Sequence, residues 1–169
     1  MRARISLLIG LSLAGCASTR AISPASFSDR LPALELKTLD GTSQDLAATI
    51  RGRVAVVSLW ATWCESCAAE FGALQRLDEG VRQRGGVLVA VAEGEPHAHV
   101  AEFVKWRGLS YAQLVDEEFR LADALGQRRV PATLVVDRQG KVVFSGGAID
   151  ESAMAAIRDA LNQPVSAIP

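Results

Sequence analysis

The pattern of apolar and polar positions predicts alternating strands and helices after residue 30. Two apolar runs, 54–60 and 87–92, are rich in β-branched residues, which is typical of strands buried on both faces. Between them, apolar side chains recur at three- and four-residue spacing, which predicts an amphipathic helix running from Cys67 to Gly85-Gly86. Its apolar positions are Phe71, Leu74, Leu77 and Val81.

The flanking segments extend this alternation. Residues 34–39 alternate before an Asp40-Gly41 turn, which predicts a strand entering a hairpin, and residues 44–50 predict a helical turn. Further helices are expected at 96–106, 116–125 and 151–161, and strands at 133–137 and 141–144. Because a short turn joins the last two strands, they must pair antiparallel. The predicted fold class is α/β: a three-layer α/β/α sandwich with a mixed central sheet and an N-terminal β-hairpin.

The N-terminus has a different pattern. Arg2 and Arg4 precede an apolar stretch at 5–14, which is the layout of a secretory signal peptide. The stretch is shorter than the roughly 20 residues that a membrane-spanning helix needs. It closes with Leu13-Ala14-Gly15-Cys16, which resembles the lipobox of bacterial lipoproteins. The resemblance implies that Cys16 is lipidated, and the alternative is an ordinary signal peptide followed by a chance cysteine.

The composition is that of one globular domain. The chain has 169 residues, of which 49% are hydrophobic and 22% charged. Residues 17–30 are rich in Ser, Ala and Pro without periodicity, which is typical of a flexible spacer. We predict a lipoprotein signal peptide at 1–15, a spacer at 16–30 that begins with lipidated Cys16, a folded domain at 31–163, and a tail at 164–169.

The charge pattern argues against nucleic-acid binding. The formal net charge is −1, and the Lys and Arg residues form no run beyond Arg128 and Arg129. A basic patch of the kind that contacts phosphates is therefore missing, and neither DNA nor RNA is expected as a partner. We interpret the two arginines as part of a solvated turn.

The cysteines indicate redox chemistry. With Cys16 assigned to lipid, Cys64 and Cys67 remain as a pair, and a disulfide that closes so short a loop stabilises the fold little. A closed zinc site needs four ligands, and the two histidines, His97 and His99, lie about 30 residues away. We therefore predict no metal and no cofactor. A Cu(I) chaperone that binds through Cys64 and Cys67 with His97 or His99 stays an alternative.

The segment 56–67, which reads VVSLWATWCESC, resembles the active-site strand and loop of the TlpA/ResA group of thioredoxin-like proteins. Cys-x-x-Cys alone is a weak signal, but here it follows a predicted buried strand, has Trp60 and Trp63 before it, and opens a helix. A second segment, 129–133 (RVPAT), resembles the cis-proline loop of that group. The resemblance spans roughly residues 31–161. It implies that the domain at 31–163 is thioredoxin-like and that the protein is a thiol-disulfide oxidoreductase.

The chemistry expected at the pair follows from its position on the helix. The unpaired N–H groups and positive dipole potential of a helix N-terminus stabilise a thiolate. We therefore predict that Cys64, at the exposed start of the helix, is the nucleophile and that Cys67 resolves the mixed disulfide, leaving a Cys64–Cys67 disulfide. The resemblance further implies a cis bond before Pro131, which would hold the backbone of Val130 against the substrate chain.

Other residues near the cysteine pair are also given expected roles. Trp63 is expected to cover the pair and to offer partners an apolar face, whereas Trp60 is expected in the core. Thioredoxin has a buried Asp six residues before its first cysteine, and Ser58 stands there in this chain. Glu70 matches a glutamate close to the active site in the TlpA/ResA group and is our candidate replacement. The alternative is that Glu70 is a solvated helix carboxylate.

The resemblance implies reduction of disulfides in exported proteins, during cytochrome c maturation, copper-site assembly or general thiol repair. Since no second cysteine pair supplies electrons, a membrane thiol donor is expected. The direction of electron transfer depends on the reduction potential of the Cys64/Cys67 pair, so a disulfide-donating oxidase stays an alternative. A peroxiredoxin is a further alternative, but peroxiredoxins usually have Thr three residues before the peroxidatic cysteine, where this chain has Ala61.

The expected location is the periplasmic face of a bacterial membrane or the outer surface of a single-membrane host. In a host with two membranes, Ala17 after the lipidated cysteine favours the outer membrane.

Overall fold

Strands and helices alternate through most of the part of the chain that the computed structural model describes, residues 29–127 and 129–164. The strands are β1 (Glu35–Lys37), β2 (Ser43–Asp45), β3 (Ala55–Trp60), β4 (Val87–Glu93), β5 (Ala112–Asp116), β6 (Ala132–Val136) and β7 (Val142–Gly146). The helices are α1 (Leu46–Ile50), α2 (Glu65–Gln83), α3 (His97–Arg107), α4 (Arg120–Ala124) and α5 (Glu151–Asn162).

The strands form one mixed sheet in the order β2-β1-β5-β4-β3-β6-β7. Strands β3, β4 and β5 are parallel, β6 pairs antiparallel with β3, and β7 pairs antiparallel with β6. Strands β1 and β2 form the predicted N-terminal hairpin, and β1 also pairs antiparallel with β5. Every residue of β3 and β4 is buried, which explains why their sequences are continuous rather than alternating apolar runs.

Helices cover both faces of this sheet. On one face, Phe71 of α2, Val100 of α3 and Ile157 of α5 belong to one apolar cluster. On the other face, Leu46 of α1 and Leu121 of α4 belong to a second cluster. A fully buried side chain of this size contributes about 1.5–3 kcal/mol to folding, so these contacts dominate the stability of the layers. The predicted three-layer α/β/α sandwich is confirmed.

The prediction of a helix at 116–125 is wrong in its first part. Asp116 is the last residue of strand β5, and the helix α4 begins at Arg120. The sequence hides β5 because its buried position Gln113 is polar; its Oε1 accepts a hydrogen bond from Nε1 of Trp60 at 3.2 Å. Residues 43–45, partly assigned to the helical turn, form β2, and Asp45 then caps α1 by accepting from the N–H of Ala47.

The predicted signal peptide, Cys16, most of the spacer, Arg128 and residues 165–169 lie outside the described residues. Contacts to the domain begin inside the predicted spacer, since Arg30 forms a bridge with Lys141 and the carbonyl of Asp29 accepts from the N–H of Val142 at 2.8 Å. None of the described helices is both long and apolar enough to cross a membrane.

The topology brings four loops to one edge of the sheet. The parallel strands β3, β4 and β5 end there, and β6, which runs the opposite way, begins there. The loops that follow or precede these strands contain, in turn, Cys64, Glu95, Phe119 and Pro131. Residues far apart in sequence therefore meet at this edge, which is where open α/β sheets commonly place their sites.

Candidate active site

Cys64 and Cys67 lie at the start of α2. Cys64 is the N-cap residue, and its Sγ accepts a hydrogen bond from the N–H of Cys67 at 3.1 Å. The two cysteines form a disulfide. Because the same N–H and the helix dipole would stabilise negative charge on Cys64, this position suits a thiolate in the reduced protein.

The prediction that Cys64 is exposed is wrong. Cys64 is 5% exposed and Cys67 is 2% exposed. The N-cap position turns the Cys64 side chain back onto the first turn of α2, where it meets Cys67 instead of solvent. Of the two, Cys64 lines a shallow surface groove together with Trp63 and Val130. A partner approaching along this groove therefore meets Cys64 before Cys67.

Trp63 and the proline loop form the two sides of this groove. Trp63 is 66% exposed, whereas Trp60 is 1% exposed and packs edge-on against Phe71, with ring centroids 5.2 Å apart. The Val130–Pro131 peptide bond is cis, as the resemblance implied. The structure thus brings Trp63, Cys64 and Val130 together and leaves Trp60 in the core, as predicted.

Glu95, a residue that the sequence analysis gave no role, holds the turn before the cysteines. One carboxylate oxygen accepts from the N–H of Thr62 at 2.7 Å, and the other accepts from the Thr62 hydroxyl. Glu95 is 9% exposed and follows β4, so it connects the ends of two neighbouring strands. A carboxylate directly after a buried strand was the available signal, but the polar residues around it resemble an ordinary turn.

The two histidines contact different residues. His97 Nδ1 is 2.9 Å from Oε1 of Glu117, and the N–H groups of His97 hold the pKa of Glu117 below its ordinary value. His99 Nε2 is 3.2 Å from the hydroxyl of Thr62. Within residues 29–127 and 129–164, no group of three or more His, Cys, Asp or Glu side chains is arranged to hold a metal ion.

Glu70 of α2 contacts the loop that precedes α5. Its Oε1 accepts a hydrogen bond from the N–H of Ile149, at 2.5 Å, just before α5 begins. Burial raises the pKa of Glu70 above its ordinary value, and the hydrogen bond from Ile149 opposes this rise. This contact connects α2 to the start of α5, and the predicted role of Glu70 in proton transfer stays a prediction.

Replacing Glu70 separates these two roles. We expect Glu70→Ala to lower the free energy of unfolding by about 1 kcal/mol, because the half-buried N–H of Ile149 loses its acceptor. Glu70→Gln is the matched control, since its amide oxygen still accepts that hydrogen bond. Urea denaturation of both variants measures the difference. A slower disulfide exchange in Glu70→Gln at unchanged stability would instead support the proton-transfer role.

A second carboxylate missed by the sequence analysis is Glu93, the last residue of β4. It is 1% exposed and neither carboxylate oxygen accepts a hydrogen bond from a described residue, but its side chain lies within hydrogen-bond reach of Asp116. Burial, together with the negative charge of Asp116 on the neighbouring strand, raises the pKa of Glu93 to about 8. At neutral pH this side chain is therefore mostly a neutral acid. A strand that reads VLVAVAE gives no sign that its final residue stays buried.

The sequence matches the AhpC/TSA family over residues 27–145, which is most of the chain. The chain belongs to this family. It is 29% identical over 118 residues to the thiol-disulfide oxidoreductase ResA of Halalkalibacterium halodurans, a match that covers 69% of this chain and 66% of that relative. It is 30% identical over 111 residues to ResA of Geobacillus thermodenitrificans, covering 66% and 63% of the two chains.

The fold of this AhpC/TSA family member is also found in solved structures. A secreted thiol-disulfide isomerase from Corynebacterium glutamicum matches 79% of this chain and 86% of its own, with a TM-score of 0.68 and 22% sequence identity. At that identity the likeness shows the thioredoxin-like fold alone. The resemblance to the TlpA/ResA group is confirmed by the relatives named above. The matched segment spans slightly less than two thirds of the length of those two relatives.

Proposed function

We propose that this AhpC/TSA family member is a thiol-disulfide oxidoreductase that reduces disulfides of exported proteins. One observation carries the proposal. Cys64 and Cys67 form a disulfide at the N-terminus of α2, and Cys64 lines the groove between Trp63 and Val130. An N-cap cysteine with one N–H donor to its sulfur is activated as a nucleophile, and the groove gives a substrate access to that sulfur.

The reaction begins with the dithiol form. The Cys64 thiolate attacks one sulfur of a substrate disulfide, a mixed disulfide forms, and the second substrate sulfur leaves as a thiolate that takes up a proton. Cys67 then loses its proton and attacks the Cys64 sulfur, which releases the first substrate sulfur as a thiol after protonation. The substrate gains two electrons and the Cys64–Cys67 disulfide is formed. Cys67, buried one turn behind Cys64, acts without leaving its helix.

Regeneration of the dithiol requires an external donor. The sequence has three cysteines, so Cys16 alone remains beside Cys64 and Cys67 and a second pair is missing from it. We infer that a membrane thiol protein passes electrons to this disulfide. Lipidation of Cys16 would tether the domain beside such a donor through the spacer, because several acyl chains on one residue anchor a protein firmly.

The location and substrates belong to the same proposal. The signal-peptide and lipobox patterns support an extracytoplasmic domain anchored by lipid on the periplasmic face of a bacterial membrane or on the outer surface of a single-membrane cell. A relative in fold is named as secreted, which agrees with this location. Disulfides of cytochrome c precursors, of copper-site proteins or of oxidised exported proteins are the substrates that we propose.

The reduction potential of the Cys64–Cys67 pair tests the direction of the reaction. The full-length protein is equilibrated in glutathione and dithiothreitol buffers, and alkylation of the peptide that holds both cysteines measures the reduced fraction. We expect a value near that of thioredoxin, about −270 mV, because the proposal requires the dithiol to be the electron donor. A value near about −120 mV, typical of a strong oxidant, would contradict reduction and favour disulfide donation.

A further inference from the structure

A cavity of about 320 Å³ lies beside the groove that Cys64 lines and shares Trp63 and Val130 with it. Its other apolar walls are Leu59, Phe119 and Ala122. Leu59 belongs to the apolar cluster on the α1 and α4 face of the sheet, so the cavity opens on the face opposite α2. We call it the Glu93 pocket, after the carboxyl group that lines it.

Glu93 gives this pocket its chemistry. The side chain is 1% exposed and lines the cavity, and neither oxygen accepts a hydrogen bond from a described residue. The side chain within hydrogen-bond reach is another acid, Asp116, to which the protonated Glu93 can donate. Burying two carboxyl groups side by side is unfavourable, and a leucine at position 93 would avoid that penalty. A buried acid whose neighbour is a second acid, in a cavity beside the groove of Cys64, therefore suggests that a cation arrives with the substrate.

The charges around Glu93 are mainly negative. Asp116 faces it from β5, Asp123 from α4, and both raise its pKa, which lies near 8. Arg120 of α4 approaches Asp116, at 3.7 Å, rather than the pocket. Glu118 and Arg129 also line the cavity. Among the described lining residues, Glu93, Glu118 and Asp123 are acidic and Arg129 is basic. The pocket therefore favours a positive charge.

Two aromatic rings stand at this pocket with much of their surface exposed. Trp63 is 66% exposed and Phe119 is 44% exposed. Phe119 has φ 59°, and its ring lies so close over Gly94 that a Cβ there would be 1.9 Å from the Phe119 Cζ. Exposed aromatic faces attract ammonium and guanidinium groups, and apolar walls accept the methylene stem of a long basic side chain.

We propose that the Glu93 pocket receives a lysine or arginine side chain of the substrate polypeptide close to the cysteine that Cys64 attacks. The inference rests on the proposed thiol-disulfide exchange and adds a determinant of its specificity. The basic group would pair with the Glu93 carboxylate at the base while its stem packs between Trp63 and Phe119. Because both carboxylate oxygens of Glu93 are buried, a side chain of the pocket wall would have to move aside for this contact.

The proposal has a pH signature. A cation beside Glu93 favours its ionised form, so binding below about pH 8 requires Glu93 to release a proton. Preference for a basic side chain therefore rises with pH up to about 8 and is level above it. A neutral amide would do the reverse, because it would pair with the protonated acid and lose that partner as Glu93 ionises.

Competing peptides test the pocket. The probes are short peptides whose single cysteine carries 2-nitro-5-thiobenzoate, with lysine, arginine, norleucine or glutamine at each of the two positions on either side. The reduced full-length protein attacks the peptide sulfur and releases the coloured thiolate. We expect at least one position at which lysine reacts about tenfold faster than norleucine at pH 8, a ratio that falls toward unity at pH 6. The ratio cancels the pH dependence of the Cys64 thiol itself.

Matched variants identify the group responsible. Glu93→Gln is expected to reduce the lysine-to-norleucine ratio to within about twofold and to abolish its pH trend. Glu102→Gln, which changes an exposed carboxylate on α3, is expected to keep both. Circular dichroism confirms that each variant is folded, and the pH trend of the unaltered protein provides a test that needs no variant.

The outcomes distinguish this inference from the proposed function. Equal rates for lysine and norleucine at every position would overturn the pocket assignment while leaving thiol-disulfide exchange intact. A glutamine preference that declines above pH 8 would likewise overturn the choice of a basic side chain. Failure of every peptide to react would overturn the proposed function, and the pocket assignment with it.

Discussion

Replacing Cys64 with serine is expected to lower the rate of disulfide reduction by at least about a thousandfold, as the loss of a catalytic nucleophile does in other enzymes. A serine hydroxyl is not ionised near neutral pH and cannot replace a thiolate in exchange. Cys67 cannot take over, because it is 2% exposed and faces the apolar cluster beneath α2. Reduction of insulin with dithiothreitol as electron donor measures the loss.

Cys67→Ser is the matched control for this prediction. The variant keeps the attacking sulfur and its access through the groove but has no resolving thiol, so the mixed disulfide with the substrate should accumulate. Mass spectrometry detects this adduct, which a reductant removes. If Cys64→Ser accumulated the adduct and Cys67→Ser did not, the assignment of attacking and resolving cysteine would be reversed.

Much of the fold could be predicted because its central elements have strong local patterns. Strands β3 and β4 are continuous apolar runs, and α2 has the three- and four-residue spacing of a helix packed on one side. The cysteine pair followed from a motif that carries its own context, and the cis bond at Pro131 followed from the resemblance to the TlpA/ResA group. Each of these features depends on a short stretch of sequence.

The features that the sequence did not predict depend on contacts between distant segments. Strand β5 was not predicted because Gln113, one of its buried residues, is polar. The Gln113 side chain accepts a hydrogen bond from Trp60, 53 positions earlier. Glu95 is buried because Thr62 of another loop provides its donors. The surroundings of Glu93 depend on the segment after β5, because Phe119 and Ala122 line the same cavity and the Phe119 ring lies over Gly94. A carboxylate at a strand end resembles a solvated turn until its neighbours in space are known.

The groups around the cysteines lie on two faces of the sheet and have different roles. On the α2 face, the helix start provides the N–H that suits a thiolate at Cys64. On the α4 face, the pocket with Glu93 meets the groove at Trp63 and Val130. Trp63, in the loop between β3 and α2, borders both openings. The reactive sulfur and the proposed specificity pocket can therefore change separately, because different elements build them.

Glu93 is also expected to make the stability of the oxidised protein depend strongly on pH. Its pKa is about 8 in the folded chain against an ordinary value of 4.5, so between these values the folded protein holds a proton that the unfolded chain has lost. The stabilisation is complete below about pH 4.5, declines as pH rises, and is lost above about pH 8. From pH 5.5 to 8 the free energy of unfolding should fall by about 3 kcal/mol through this group.

Glu93→Gln isolates this contribution because glutamine has nearly the same shape and does not titrate. We expect its advantage in free energy of unfolding over the unaltered protein to grow by about 3 kcal/mol between pH 5.5 and 8, measured by urea denaturation at several pH values. Glu102→Gln should show no such growth, and subtraction removes the contributions of the groups that the variant and the unaltered protein share. A difference independent of pH would mean that Glu93 ionises as freely in the folded chain as in the unfolded one. The pocket would then present a carboxylate, already charged, to any basic side chain, and the pH signature of substrate choice would vanish together with that of stability.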